Sequence, residues 1–336
     1  MIRRSRAGGA PRSLVAAVVI SSHRTHRLAR APMPGARSSA STACARVAAR
    51  GRARVGGRTR ARTATFASPE TAPRVIFALD FDGVVCDSVG ESSLSAWKHG
   101  EELWPDVFDA DATRAEKARV LEGLRAVRPV VETGYENTTL ARALLEKLPG
   151  YSIEEILNDW DGLSGALMDK WALDRATMVE AFGKIRDDWI LNDFDGWLAP
   201  NALYPGVAEA VLAAQKRSDA AVKIVTTKQG RFALAILERM GKIVVADEDM
   251  YSTTVSGIPK TDVLRTLGVD GNPRKIFVED KLSTLEKVCK AEDLDDWELF
   301  LVDWGYNTES ERARAAANDR ITVIDISTFI ALLREG

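Results

Sequence analysis

Cysteine is scarce in this 336-residue chain: Cys44, Cys86 and Cys289 are the only three, and none belongs to a CxxC pair. That excludes a zinc–cysteine centre and a disulfide framework, and it fits a reducing compartment. Histidine is equally rare. His23 and His26 fall near the start, which leaves His99 alone in the remainder. A multi-histidine metal site is therefore excluded there, and a Ser-His-Asp triad would have to rest on His99. No apolar run approaches the roughly 20 residues of a membrane-spanning helix; the longest near the start is Leu14–Ile20. Acids and lysine are both missing from Met1 to Pro69, a stretch that holds fifteen arginines.

An acid-free start rich in Arg, Ala, Ser, Thr and Gly has the composition of an organelle transit peptide, expected here over residues 1–69. Its length and its Ser/Thr/Ala content point to the chloroplast, with the mitochondrion as the alternative. The other reading is a basic arm for nucleic acid or anionic lipid. Removing those fifteen arginines leaves 31 Lys and Arg against 48 Asp and Glu, so the rest of the chain carries about −17. Such acidity argues against nucleic acid as its main partner, and the missing apolar run argues against a membrane. Its chemistry must rest mostly on carboxylates, hydroxyls and lysines.

Short β-branched runs suit buried parallel strands: Val75–Leu79, Val222–Val225, Lys242–Ala246, Ile276–Val278, Leu299–Val302 and Ile321–Ile324. Helical spacing fills most of the intervals, as in Val207–Lys216 and Phe232–Met240. The predicted fold class is α/β, with a Rossmann-like open parallel sheet as core. Between the first strand and Tyr204, however, over a hundred residues have little strand character, too many for a structureless loop. They read as helices over Thr113–Val127, Thr138–Leu148, Ile153–Trp160 and Asp174–Leu191. The expected organisation is a core of residues 70–89 and 204–336 with an inserted α-helical cap over 90–203. Six of the eight tryptophans (Trp97, Trp104, Trp160, Trp171, Trp189 and Trp197) fall in that insertion, enough for a small core of its own.

In an open parallel sheet, functional groups gather at the carboxyl ends of the strands. The first strand ends in Asp80-Phe81-Asp82, the second in Thr226-Thr227-Lys228, and the one from Ile276 in Glu279-Asp280-Lys281; Lys260 stands in the loop segment SGIPKTD. A calcium loop does not fit, because Gly83 comes fourth rather than sixth and Val84 takes a ligand position. GIPKT lacks the glycine that precedes lysine in a phosphate-binding P-loop.

In this order, DFDGVVCDS, IVTTK, Lys260 and FVED resemble the four motifs of the haloacid-dehalogenase superfamily of Mg²⁺-dependent phosphohydrolases. The helical insertion resembles the cap of the branch containing phosphoglycolate phosphatases and β-phosphoglucomutase. YPGV and GYN are similar to later turns of that branch, and the likeness spans about Val75 to Ile326. More narrowly, the chain resembles a chloroplast-targeted group of plants and algae. The resemblance implies Asp80 as nucleophile, Asp82 as general acid and base, and Thr226 and Lys260 as holders of the phosphoryl oxygens. It implies a Mg²⁺ site from Asp80, the Asp82 carbonyl and Asp280, with Glu279 behind them. Thr227 and Lys228, together with Arg128, Tyr135 and Arg186 of the cap, are the candidates for reading a small phosphorylated metabolite. Glu132 and Asn137 stand beside them, and Glu91, Ser92 and Ser93 fall where the hinge to the cap is expected. A second aspartate favours phosphate esters over halides, since a halide leaves without a proton. Many of these phosphatases carry another acid where this chain has Thr284. The Glu279-Asp280 form resembles β-phosphoglucomutase instead, which keeps a phosphosugar mutase open. A non-catalytic binding protein is the alternative outside enzymes. Monomer and homodimer are both compatible with the sequence.

Overall fold

A computed structural model of the chain describes residues 72–108, 111–267 and 272–335, all within one unit, Phe66–Gly336. The leader expected over 1–69, with Cys44, His23 and His26, lies outside the described residues.

The hydrophobic run Val75–Leu79 forms β1, with all five residues buried. Alternate side chains serve opposite faces, as a strand's two-residue period requires. Phe77 and Leu79 enter one apolar core, and Ile76 and Ala78 enter another on the far side. The chain then makes a short strand, β2 (Cys86–Asp87), before a series of helices: α1 (Val89–Leu103), α2 (Pro105–Phe108), α3 (Asp111–Ala126), α4 (Glu136–Leu145), α5 (Ile153–Lys170), α6 (Arg175–Asn192) and α7 (Phe194–Leu198). It returns through β3 (Ala202–Leu203), which pairs antiparallel with β2. Both crossings between the helices and the sheet therefore run through one two-stranded ribbon.

After α8 (Val207–Gln215) come β4 (Ala220–Thr226), α9 (Gly230–Ile236), β5 (Met250–Ser252), α10 (Thr253–Ser256), α11 (Lys260–Thr266) and β6 (Arg274–Glu279). The chain finishes with α12 (Leu282–Cys289), β7 (Trp297–Val302), α13 (Glu309–Ala316), β8 (Ile321–Ile324) and α14 (Ile326–Glu335). The six long-range strands form one parallel sheet in the order β5-β4-β1-β6-β7-β8. Helices α8, α9 and α14 pack on the Phe77 face, and α11, α12 and α13 on the Ile76 face. This is the expected Rossmann-like α/β core. Strand order reverses at β1, since β4 lies on one side of it and β6 on the other. That is where such sheets open a crevice.

Three details differ from the sequence reading. Lys242–Ala246 is not a strand. Helix α9 runs on into a π turn that stops at Lys242, whose φ is +56°. Ile243 then plugs back into the core while Val244 is 75% exposed, and β4 finds its ladder partner only at Met250–Ser252. Helix α5 runs past Trp160 because it breaks and restarts at Asp159 (φ −148°, ψ 51°), whose carboxylate accepts the Gly162 N–H at 3.2 Å. Replacing this cap in Asp159→Ala is expected to lower stability by about 1 kcal/mol. Thermal unfolding should show a fall of roughly 2–4 °C; an unchanged midpoint would mean the restart needs no cap. Finally, the tryptophans divide. Trp97 and Trp160, with Trp104 and Trp171 against them, build a core within the helices. Trp197 and Trp189 pack on the sheet's core instead, because α6 and α7 lie alongside it on the way to β3.

Candidate active site

Register sets the site. Leu79 is level with Ile224 of β4 and Val278 of β6, so Asp80 emerges from β1 beside Glu279, and its N–H donates to Val278 O at 2.9 Å. Gly83 turns the chain away with φ +87°, and a Cβ there would sit 2.0 Å from Asp280 Oδ2. Only glycine allows the two acidic strand ends to come this close. Lys260 is the first residue of α11. Its buried ammonium lies 3.0 Å from Asp80 Oδ1 and 2.8 Å from Glu279 Oε2.

Asp80, Glu279 and Asp280 are all buried, and each has a carboxylate oxygen within 4.8 Å of the other two. Burial, then the charge of Asp80, pushes Glu279 well up, and the same two causes push Asp280 up to about 7. Lys260 moves the other way: burial opposes its charge, but Asp80 and Glu279 outweigh that and hold it firmly protonated. One lysine cannot neutralise three acids. Asp80 Oδ1 also lacks a hydrogen-bond partner, although Lys260 is within ion-pair distance. An all-oxygen set of crowded, buried carboxylates with an unsatisfied oxygen suits a hard divalent cation.

Asp82 is in a different environment. Its Oδ1 accepts from the Ser88 hydroxyl and lies 3.3 Å from Lys228 Nζ. Burial works to raise its pKa, but Lys228, Arg128, Ser88 and Arg186 together prevail and hold it below the ordinary aspartate value. The two aspartates of DFD thus have separate partners, Lys260 for one and Lys228 for the other.

A cavity of about 190 Å³ lies over these groups. Asp80, Asp82, Thr227, Lys260, Glu279 and Asp280 form its wall on the sheet side, and Arg128 closes it from the helices. A smaller extension of about 30 Å³ reaches Tyr135, Arg186 and Lys228. Arg128 is buried, stacks its guanidinium 4.1 Å from the centre of the Tyr306 ring, and donates to Val131 O at 3.0 Å. Its Nε has no hydrogen-bond partner, and Asp82, Asp280 and Asp80 act on its charge without a direct ion pair among the described residues. A buried, unpaired cation facing a cavity is a ready anion site.

The structure therefore brings together Asp80, Asp82, Thr227, Lys260, Glu279, Asp280 and Arg128. It does not bring Thr226 to the cavity. That residue is fully buried, and its hydroxyl is taken up by the turn after β4, where it accepts the Lys228 N–H at 3.1 Å. Arg186 and Lys228, expected to read substrate, are already engaged. Arg186 grips Glu91 with two bonds of 2.7 and 2.9 Å, and Lys228 Nζ sits between Glu91 and Asp82. Tyr135 is mostly absorbed into the helical core. Two contributors escaped the sequence reading. Lys281 lines the cavity and ties it to the helices by donating to Pro129 O. Tyr306 touches Asp280, Arg128 and the start of α1 at once. Lys281 directly follows the acidic pair, which was its only signal.

No family model matches the chain, and no curated protein sequence does either. Solved structures do resemble it. One is a "predicted phosphatase" from Clostridium acetobutylicum, 17% identical, covering 79% of this chain and 100% of its own, with a TM-score of 0.48. Another is a "predicted phosphoglycolate phosphatase" from Haemophilus somnus, 15% identical over 78% of this chain and 97% of its own, TM-score 0.47. A third is a HAD family hydrolase from Deinococcus radiodurans with bound phosphate and sodium, 14% identical over 78% and 96%, TM-score 0.38. At identities this low, the residues of the site themselves have to carry the functional reading.

Proposed function

We propose that the chain is a Mg²⁺-dependent phosphatase of the haloacid-dehalogenase type that hydrolyses a small phosphate monoester through an aspartyl-phosphate on Asp80. The observation that carries this is Asp80 at the floor of a cavity, between a buried lysine and two buried acids. A carboxylate attacks phosphorus only if the repulsion of the phosphate dianion is offset. Lys260 supplies one positive charge from the protein. Asp80, Asp280 and the Asp82 carbonyl, with Glu279 behind them, are the groups that would hold a Mg²⁺, which would supply the remaining positive charge.

As the Asp80–phosphorus bond forms, the bond to the leaving oxygen breaks, and Asp82 donates the proton that this oxygen needs. Asp82 then takes a proton from the water that attacks the phosphoryl-enzyme, freeing Asp80 and inorganic phosphate. The cations around Asp82 favour its charged, basic form. An arriving phosphate dianion counters those cations, which raises its affinity for the proton it must deliver. Arg128 is placed to hold a negative group on the substrate, and Thr227 to contact its phosphoryl oxygens.

A phosphosugar mutase shares these steps up to the phosphoryl-enzyme, and Thr284, which lines the cavity where an acid would stand, favours that second reading. The acid-free first 69 residues support import into a chloroplast.

The test is phosphate release from a panel of monoesters by the full chain, with and without Mg²⁺. Release that needs Mg²⁺ supports the phosphatase. Phosphosugar isomerisation without release selects the mutase, and silence with both assays counts against catalysis. Metal binding gives a separate check. Asp280 without metal has its pKa raised to about 7, so Mg²⁺ must displace a proton at pH 6 but much less of one at pH 8. Calorimetry should show affinity rising over that interval, with protons released at the lower pH. Affinity independent of pH would contradict Asp280 as a ligand.

A further inference from the structure

Helix α1 begins where the DFDGVVCDS segment ends, and its first N–H groups need acceptors. Its N-cap is Ser88, one of the best residues for that task, yet the Ser88 side chain makes no capping bond. Its backbone, at φ −107° and ψ 6°, is outside the extended conformation that capping requires. The hydroxyl instead donates to Asp82 Oδ1. The helix start is held partly by Asp87 Oδ1, which accepts the Val89 N–H at 3.2 Å, and partly from 218 residues away. Tyr306 Oη accepts the Ser88 N–H at 2.8 Å and the Val89 N–H at 3.0 Å, and donates to Asp87 Oδ1 at 2.7 Å. Tyr306 is itself held by its own N–H on Asp280 Oδ2 at 2.8 Å and by the Arg128 guanidinium on its ring.

We propose that Tyr306 is a positioning residue for Asp82 that acts through Ser88: by holding the Ser88 and Val89 N–H groups it keeps the serine backbone out of the extended capping conformation and leaves its hydroxyl to hold the Asp82 carboxylate. Without the tyrosine hydroxyl, Ser88 turns extended and caps its own helix through the Gly90 or Glu91 N–H. Asp82 then loses its neutral donor and swings toward Lys228. The kinetic part of this inference rests on the phosphatase reading; the capping part does not.

The experiment uses the full chain as wild type, Tyr306→Phe, Ser88→Ala and the double variant. Each is assayed with Mg²⁺ on glycerol 2-phosphate, whose alkoxide must be protonated to leave, and on p-nitrophenyl phosphate, whose phenolate need not be. Phenylalanine keeps the ring beneath Arg128, so KM should stay within about threefold while kcat falls roughly 10–100-fold, the usual effect of losing a partner that orients a catalytic group. The fall should be larger for the glycerol ester. Adding Tyr306→Phe to Ser88→Ala should lower kcat by no more than about threefold further, because both act on one carboxylate. An unchanged kcat in Tyr306→Phe, a loss equal for both esters, or full additivity in the double variant each overturns the proposal. Wild-type silence toward both esters counts against the phosphatase reading alone. The crystal structure of Tyr306→Phe then decides the proposal: Ser88 on its own helix supports it, and Ser88 still on Asp82 overturns it.

Discussion

Asp80→Asn is expected to abolish phosphoryl-enzyme formation and to lower turnover by at least about 10⁴-fold, as removal of a covalent nucleophile does. The amide has nearly the carboxylate's shape but cannot bond to phosphorus under these conditions. Stability should hardly suffer. Asp80 is one of the charges that push Glu279 and Asp280 up, so neutralising it relieves crowding in the metal-free protein. Lys260 keeps Glu279 at 2.8 Å as its partner. The metal-free variant should therefore unfold at or slightly above the wild-type midpoint. Labelled phosphate transferred from substrate and retained on the acid-quenched protein reads the intermediate directly. An Asp80→Asn protein that still acquires label, or still turns over, removes Asp80 from the nucleophile's place. A variant that is dead because it is unfolded would show in the melting curve, which keeps the two outcomes apart.

The legible part of this site was the part written locally. Strand ends announce themselves: a run such as Val75–Leu79 can only be buried, and acids directly after it can only sit at the sheet's edge. Asp80, Asp82, Glu279 and Asp280 were found that way. The sheet then did what parallel pairing requires, bringing β1 and β6 side by side so that Asp80 and Glu279 emerge together. Lys260 was found from its place in an ordered series of motifs, since nothing in GIPKT fixes where its ammonium goes. What could not be read was pairing over long separations. Arg186 and Lys228 look like substrate ligands in the sequence because their shared counter-ion, Glu91, is 95 and 137 residues away from them. Thr226 and Thr227 are neighbours of the same type, and strand pleating alone decides which one meets the cavity. The false strand at Lys242–Ala246 has a similar origin: its composition suits a strand, but the π turn before it delays arrival at the sheet.

Glu91→Gln is expected to produce the largest loss of stability of the variants considered, about 3–5 kcal/mol, the range for breaking a buried ion pair by removing one partner. Glu91 is fully buried in the first turn of α1. Its carboxylate accepts from Arg186 Nε and Nη2, from the Ser95 hydroxyl at 2.7 Å, from Trp197 Nε1 at 3.2 Å and from Lys228 Nζ at 3.4 Å. With the charge gone, Arg186 and Lys228 remain buried, and Asp82, 3.3 Å from Lys228 Nζ, is drawn toward them. The melting midpoint should fall on the order of 10 °C, and turnover should fall with it as Asp82, the proposed acid–base group, is displaced. The pH dependence separates this from a packing defect. Burial works to raise the Glu91 pKa, but Arg186 and Lys228 prevail and bring it down to about 2 from 4.5. A carboxyl with a depressed native pKa stabilises the fold above its unfolded pKa, and that contribution disappears as pH falls through the native one. The gap between wild type and Glu91→Gln should thus be widest above pH 5 and shrink steadily from about 4.5 toward 2. Replacing both ends, as Glu91→Leu with Arg186→Met, should cost less than Arg186→Met alone, because no charge is then left without its partner. Midpoints within 2 °C of wild type at neutral pH, or a gap that does not narrow in acid, would show that the buried network does not hold the helices to the sheet.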